Sequence, residues 1–475
     1  MTARSLITAS ILALVAGAAL FAVPGVPARG QTAGARLSYY ADARPILAAR
    51  CTTCHAKDGI APLTLDTPAT ATRAAKAIAV AVSSGRMPPW MPGPGSPAYT
   101  EDRRLNPHEK ATLLGWVSAG AALGGDRLAT PRAARAAGLK PDAVLTPPEP
   151  FTPPAGVNDE YRCFLLDPKL THNRFVTRLN VRPGQPSEVH HVIVYRVPGA
   201  SLAAAQTLAG QDGRLGWRCF GGPGDGLGSD WLGAWAPGGA AVSMPAGYGA
   251  LLEAGSLLVM QVHYNLKAGV KADRSSIELN YAPPGANLKP LQTALVAAPV
   301  ELPCPPSSSG ALCDRDAALA ELVRRHGPGD ATFANDLLAY CGKQAADYAL
   351  KPGQDGTRLA TSCELPSIAG TIFGVAGHMH LRGVSITLEV RPAGGGRPRP
   401  LLTIPAWDFH WQSQYWLKTP LKVSAGDRIR VSCAFNNSAG AQPLAGGLRQ
   451  EPRYVLWGEG TSDEMCLGVI TFSPR

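Results

Sequence analysis

Three things are scarce in this chain of 475 residues. Runs of one charge are missing. The formal net charge of +10 comes from scattered Lys and Arg, with no basic tail and no nucleic-acid motif beside it, so it reads as solubility and docking to acidic partners. Long apolar stretches are missing beyond the first 35 residues, so no later segment is predicted to cross a bilayer. Helical periodicity is scarce after about residue 155, where only "DAALAELVRRHG" and "ATFANDLLAYCGKQ" show it. What is abundant is Gly (52) and Pro (43), with 45% apolar residues. That balance lies above average turn content and below disorder, and it suits a turn-rich, mainly β protein of about two to four domains.

The N-terminus has Arg4, an apolar stretch from Leu6 to Val23 and a small-residue cleavage site at Ala33-Gly34-Ala35. This pattern predicts a signal peptide over residues 1–35 and export to the periplasm, with no stable membrane insertion after cleavage. An uncleaved anchor is the alternative, since the apolar stretch reaches the lower edge of a span, about 18 residues. Ten cysteines in an exported chain predict disulfides. Cys51 and Cys54 stand apart, in "CTTCH" with His55. This is the attachment pattern of a c-type haem, with both thiols as thioethers and the histidine on iron; a redox dithiol or half a zinc site shares the spacing.

Residues 36–125 read as a small helical domain around that motif. "PATATRAAKAIAVAVSSG" is an Ala-rich helix and "NPHEKATLLGWVSAGAA" a closing one, with Asn106 as N-cap, Pro107 at the first helical position, and Leu113 and Trp116 facing the haem. The segment resembles a class I cytochrome c, which implies a methionine as sixth iron ligand. Met87 in "GRMPPW" is preferred because its prolines stiffen the loop, and Met91 is the alternative. Residues 126–154, with "TPPEPFTPPAG", read as a Pro-rich tether. Beyond it, alternating runs such as "EVHHVIVYRV", "SLLVMQVHYNL" and "DRIRVSCAF" predict two antiparallel sandwiches, 155–284 and 285–475, the second with a Cys-rich helical insertion near 301–365.

The β region holds His172, His190, His191, His263, His326, His378, His380 and His410. On a strand His378 and His380 would share a face about 7 Å apart and could meet on one ion. His190 and His191 would point oppositely, so a shared metal needs a bulge, a twist or a strand end there. Met465 in "TSDEMCLGV" adds a thioether. Two imidazoles with a soft sulfur suit copper that cycles through Cu(I) and argue against zinc.

The segments "SEVHHVIVYR", "LLVMQVHYN", "AGHMHLRG", "WDFHWQSQY" and "SDEMC" occur in the order found in the copper type II, ascorbate-dependent monooxygenases, which residues 155–475 resemble. The resemblance implies two coppers and two tandem jelly-roll-like sandwiches, the first of eight or nine strands. His190, His191 and His263 would hold an electron-storing copper. His378, His380 and Met465 would hold the copper where O2 meets substrate, across a solvent-filled gap. Tyr161 and Gln261 would support the first site. The resemblance also implies disulfides Cys163–Cys219 and Cys433–Cys466, and leaves Cys304, Cys313, Cys341 and Cys363 with three possible pairings.

The departures matter for substrate. Where the peptide-amidating branch has Arg, Asn and Tyr to hold a peptide, this sequence has Ala376, Leu467 and Val469. A neutral or hydrophobic small molecule is therefore expected, with the haem relaying electrons from an exported redox partner to the His-only copper. A haem and copper electron-transfer or copper-handling protein without hydroxylase chemistry is the rival reading. His410, His172, His326 and His108 are expected to be bystanders.

Overall fold

The structure is a computed structural model that describes residues 36–57, 61–125, 139–157, 159–219, 222–224, 226–237, 239, 241–266, 269–366, 369–445 and 448–475. The expected signal segment and residues 126–138 of the tether lie outside the described residues.

Residues 37–87 and 105–125 form a small helical unit. Asn106 caps the closing helix Pro107–Ser118: its side chain accepts from the Glu109 N–H, and the Glu109 carboxylate returns the bond to the Asn106 N–H. The Ala-rich stretch is not one helix but two, Pro68–Arg73 and Ala75–Ser83, divided at Ala74. Leu47, Ile78, Leu113 and Trp116 form the core of this unit, and Cys51 packs against its edge.

The first sandwich pairs a six-stranded sheet with a five-stranded one, more strands than the resemblance implies. The five-stranded sheet runs Trp217–Arg218, Asp159–Leu166, Leu257–Asn265, Val189–Val197, Asp230–Trp235. Its strands alternate as a two-sided sheet should. Val192, Val194, Met260, Val262 and Tyr264 enter the space between the sheets, while Tyr195, Val197, Leu257 and Val259 pack on the opposite face. The tether is shorter than expected. Ala143–Leu145 pairs as an edge strand with Ser276–Tyr281, and Phe151, 3% exposed, is bridged to Asp273 in the core.

The second sandwich has two four-stranded sheets. One contains Gln292–Ala297, Leu467–Pro474, Gly370–His378 and Tyr415–Val423; the other Leu359–Pro366, Arg428–Phe435, Gly383–Arg391 and Arg399–Ile404. The crossing between sandwiches lies at Leu291, because Lys289–Pro290 still pairs with Tyr248–Leu252 of the first and Gln292 begins the second. The insertion carries helices Arg315–His326 and Pro328–Tyr340.

Four disulfides fit a secreted protein: Cys163–Cys219, Cys433–Cys466, Cys304–Cys313 and Cys341–Cys363. The last two settle the pairing left open by the sequence. Among the described residues no helix is long and apolar enough to cross a membrane.

Beyond Met87, the chain leaves the helical unit and runs along the second sandwich. The Gly93 N–H donates to the Thr403 carbonyl at 2.8 Å, the Tyr99 hydroxyl to the Leu401 carbonyl at 2.8 Å, and the Thr100 N–H to the Trp416 carbonyl at 2.9 Å. A Cβ at Gly93 would stand 2.6 Å from Pro405, so only glycine permits this approach.

Candidate metal centres

His191 and His263 face one another across neighbouring strands. Between Val189 and His191 the register slips by one residue, so His190 is the extra residue of a β-bulge. The bulge turns His190 to the same side as His191, the condition the sequence imposes on a shared site. The three Nδ1 atoms converge: His190 to His191 at 3.3 Å, His190 to His263 at 3.2 Å, His263 to His191 at 3.4 Å.

These distances test whether an ion fits. The centre of such a nitrogen triangle is about 1.9 Å from each corner, close to the ~2.0 Å at which imidazole nitrogen binds first-row metals. The tautomer agrees. His263 Nε2–H donates to the Asp159 carboxylate at 2.9 Å, leaving a lone pair on Nδ1 turned to the centre. Burial, then the neighbouring imidazoles, holds His191 and His263 well below the usual histidine range, so both are neutral and ready to ligate. Tyr161 stacks flat on His263 with centroids 4.1 Å apart and planes at 9°. Gln261 does not reach the nitrogens; its amide donates to the Cys219 carbonyl at 2.7 Å and ties down the loop beneath the disulfide.

The second cluster is built differently. The strand ends at His378, and His380 lies past it, so strand alternation is not what brings them together. Their Nε2 atoms are 3.2 Å apart. Each Nδ1–H is committed: His378 to Gln412 Oε1 at 2.5 Å, His380 to the Asp463 carbonyl at 3.2 Å. Both Nε2 lone pairs therefore face the same space, an arrangement that fits a cation. Burial pushes His378 below its ordinary value, and burial with His378 beside it pushes His380 down to about 3. The Glu464 carboxylate accepts from the backbone N–H groups of His380, Arg382 and Met465, and so pins the His380 loop to the Met465 segment. Met465 is 4% exposed, and its neighbour Cys466 is held by the bridge to Cys433.

The expected substrate-side residues fall on one surface. Ala376 is opposite Val469 and His378 opposite Leu467 on adjacent antiparallel strands, and directly opposed residues share a face. Further along that strand, Thr471 accepts from the Gln414 amide at 2.8 Å. Thr471, Gln414 and Trp416 form one wall of a cavity of about 180 Å³ against Trp231 and Met244 of the first sandwich.

Phe409 was not singled out by sequence. Its ring lies against His190 at 5.1 Å and 20°, and edge-on to His380 at 6.2 Å and 88°. An aromatic side chain therefore stands in the space that the resemblance leaves to solvent. His410 beside it is exposed, as are His172 and His108. Asp159 was also missed, although its parity with Tyr161 places it on the histidine side of its strand.

In the helical unit, the His55 Nδ1–H donates to the Leu63 carbonyl at 2.7 Å, which leaves Nε2 as the lone-pair nitrogen. Cys51 and Cys54 are the free cysteines among the described residues. Burial pushes both thiols up, Cys51 to about 12 with Cys54 adding to it. A nucleophilic dithiol needs the opposite shift. Met87 is half-buried on the helical unit, whereas the Met91 sulfur accepts a hydrogen bond from the Asp408 N–H at 3.4 Å inside the second sandwich.

No curated protein matches the chain. Among solved structures, an allantoicase is 11% identical, with 65% of this chain and 81% of that one covered at a TM-score of 0.15. The Saccharomyces cerevisiae allantoicase is 10% identical, with 65% and 80% covered at 0.15. The infectious bursal disease virus VP2 particle is 8% identical, with 70% and 72% covered at 0.17. These likenesses are too slight to carry an argument. Residues 337–475, which contain His378, His380 and Met465, match the profile of the copper type II ascorbate-dependent monooxygenase, C-terminal domain.

Proposed function

We propose that the protein is an exported copper-dependent monooxygenase that hydroxylates a C–H bond of a small neutral or hydrophobic molecule with O2, fed with electrons through a covalently attached haem c. The observation that carries the reading is the pair of nitrogen clusters, one of them within the segment that matches the monooxygenase profile. His190, His191 and His263 would hold the electron-storing copper, and His378, His380 and Met465 the copper where O2 and substrate meet. Cys51, Cys54, His55 and Met87 would hold the haem. Copper in these sites would supply the one-electron chemistry that inserts one oxygen atom into a C–H bond and releases the other as water.

The chain's own groups prepare the sites. Asp159 keeps the proton on His263 Nε2, and Gln412 and the Asp463 carbonyl keep those of His378 and His380 on Nδ1, so these three imidazoles present lone pairs without reorganising. Ala376, Leu467 and Val469 offer substrate an apolar surface beside His378, with no cationic or amide group at those positions to hold a carboxylate. An uncharged substrate loses least on such a surface.

Metal analysis of the holoprotein should find two coppers and one iron per chain, with the iron accounted for as haem c. Oxygen uptake should be coupled to a hydroxylated product from a panel of small hydrophobic substrates, and glycine-extended peptides should be poor substrates. Copper and haem present with no O2-coupled product would instead identify an electron-transfer or copper-handling protein.

A further inference from the structure

The segment after Met87 leads directly to the copper ligands. Met91 is 8% exposed within the core of the second sandwich, and its sulfur takes the Asp408 N–H at 3.4 Å. The next residue is Phe409, itself 8% exposed, whose ring covers His190 at 5.1 Å. Four residues of covalent chain, one hydrogen bond, one peptide step and one ring contact thus join the expected iron ligand to the three-histidine cluster. Electron tunnelling weakens less through bonds than across gaps, and this series contains a single through-space contact between rings, with both side chains shielded from water.

We propose that Met91, Asp408 and Phe409 form the route by which single electrons pass from the haem to the copper held by His190, His191 and His263. The inference rests on the haem and copper assignments made above. In the step one electron leaves Fe(II), giving Fe(III), and converts Cu(II) to Cu(I); no bond breaks and no proton moves. Phe409 is a positioning residue here: it does not ligate, but closes the gap to His190. A competing series starts from the same loop. Trp90 meets Tyr415 at 5.4 Å, and Tyr415 is opposite Val375 on the strand that ends at His378. It is longer, needing three further residues to reach a ligand, and it leads to the other cluster.

The test begins with anaerobic protein whose haem is reduced and whose copper sites hold Cu(II). Haem oxidation is followed by stopped-flow absorbance. Phe409→Leu should slow the haem-to-copper phase roughly tenfold, with haem spectrum, copper content and the Cu(II) EPR signal unchanged. Phe409→Tyr should restore the rate, Trp90→Leu should leave it alone, and reduction of the three-histidine copper by a small reductant acting directly on it should not respond to Phe409→Leu. In copper-free protein, Met91→Ala should speed hydrogen exchange at the Asp408 amide, and in loaded protein it should slow transfer while haem spectrum, copper content and the Cu(II) EPR signal stay unchanged. An unchanged rate in both Phe409→Leu and Met91→Ala, or an equal loss in Trp90→Leu, overturns the route while leaving the haem and copper assignments standing. A wild-type protein without the haem spectrum overturns those assignments and the route with them.

Discussion

The two nitrogen clusters gather imidazoles by different means. The three-histidine set sits on adjacent strands of one sheet, with a bulge to turn His190 and a carboxylate behind His263. The His378–His380 pair sits at a strand end and in the loop after it, held by backbone N–H bonds to Glu464 and by the Cys433–Cys466 bridge beside Met465. On the assignments proposed above, a site made on paired strands would keep its geometry when the copper changes oxidation state, which suits electron storage. On the same assignments a site finished by a loop, with Met465 as its third ligand, would admit a substrate and O2. Mutations that strike one means of support and spare the other test this contrast.

Removing a ligand should have the largest effect. His263→Ala is expected to lose the copper of the first cluster, halving copper content, and to abolish haem oxidation by Cu(II); His378→Ala should halve copper content while leaving that oxidation intact. Elemental analysis with stopped-flow absorbance separates the two. If either variant lost both coppers, the clusters would not be independent.

Arg162 should come next, because it anchors the strand that carries Asp159 and Tyr161. It is fully buried, donates to Asp212 at 2.5 and 2.8 Å and to the Leu215 carbonyl at 2.7 Å, and lies over Phe151 at 4.9 Å. Arg162→Ala should destabilise the fold by about 2–3 kcal/mol, since it takes the donor from the Leu215 and Gly216 carbonyls and empties a buried position over Phe151, while the part-exposed Asp212 carboxylate adds little. Chemical denaturation would check this; a loss under about 1 kcal/mol would show that the strand does not depend on Arg162.

The supporting carboxylates should matter less, and in opposite places. Asp159→Asn is expected to weaken copper at the three-histidine cluster by roughly 10–100-fold, and Glu464→Ala to do the same at His378, His380 and Met465. Competition with a chelator of known affinity reads both. A swap of these effects, or a loss at both clusters from one variant, would break the contrast.

How much of this was legible depended on whether a feature had a periodic signal. The alternating runs announced a mainly β fold of antiparallel sheets, and the H-H pair required the bulge that the strand Val189–Val197 has. The H-x-H pair was read by the wrong route: its convergence comes from a loop held by Glu464 and not from strand alternation, because the strand stops at His378. Phe409 and Met91 lie in loops, where spacing says nothing about direction, and their contacts depend on how distant segments pack. The prolines of residues 126–154 suggest a tether, but an edge strand tolerates proline next to it, and burying Phe151 outweighs the stiffness of its flanks. Ala376, Leu467 and Val469 are visibly apolar in the sequence, but only register shows that the three share a face with His378.

The smallest expected effect concerns acid. The hydrogen bond from Arg162 holds the Asp212 carboxyl down at about 2, outweighing its partial burial, against about 3.9 for an unfolded aspartate. A depressed folded value means that the pair stabilises the protein fully above about pH 4 and loses that contribution as pH falls toward 2. Asp212 is 39% exposed, so solvent and salt screening limit the contribution to about 1 kcal/mol or less. Asp212→Asn should therefore lower stability by a small constant amount at neutral pH, and the gap to wild type should close below pH 4. Unfolding midpoints measured from pH 7 down to pH 3 would show it. The corresponding feature of the second sandwich is Asp427, which accepts from the Ser424 and Ala393 N–H groups, and whose carboxyl these bonds also hold low. Asp427→Asn should accordingly close its own gap in the same direction. If the two variants diverged, with only one acid-sensitive, the strand that carries Asp159 and the second sandwich that carries His378 would differ in what stabilises them as well as in how they hold their imidazoles.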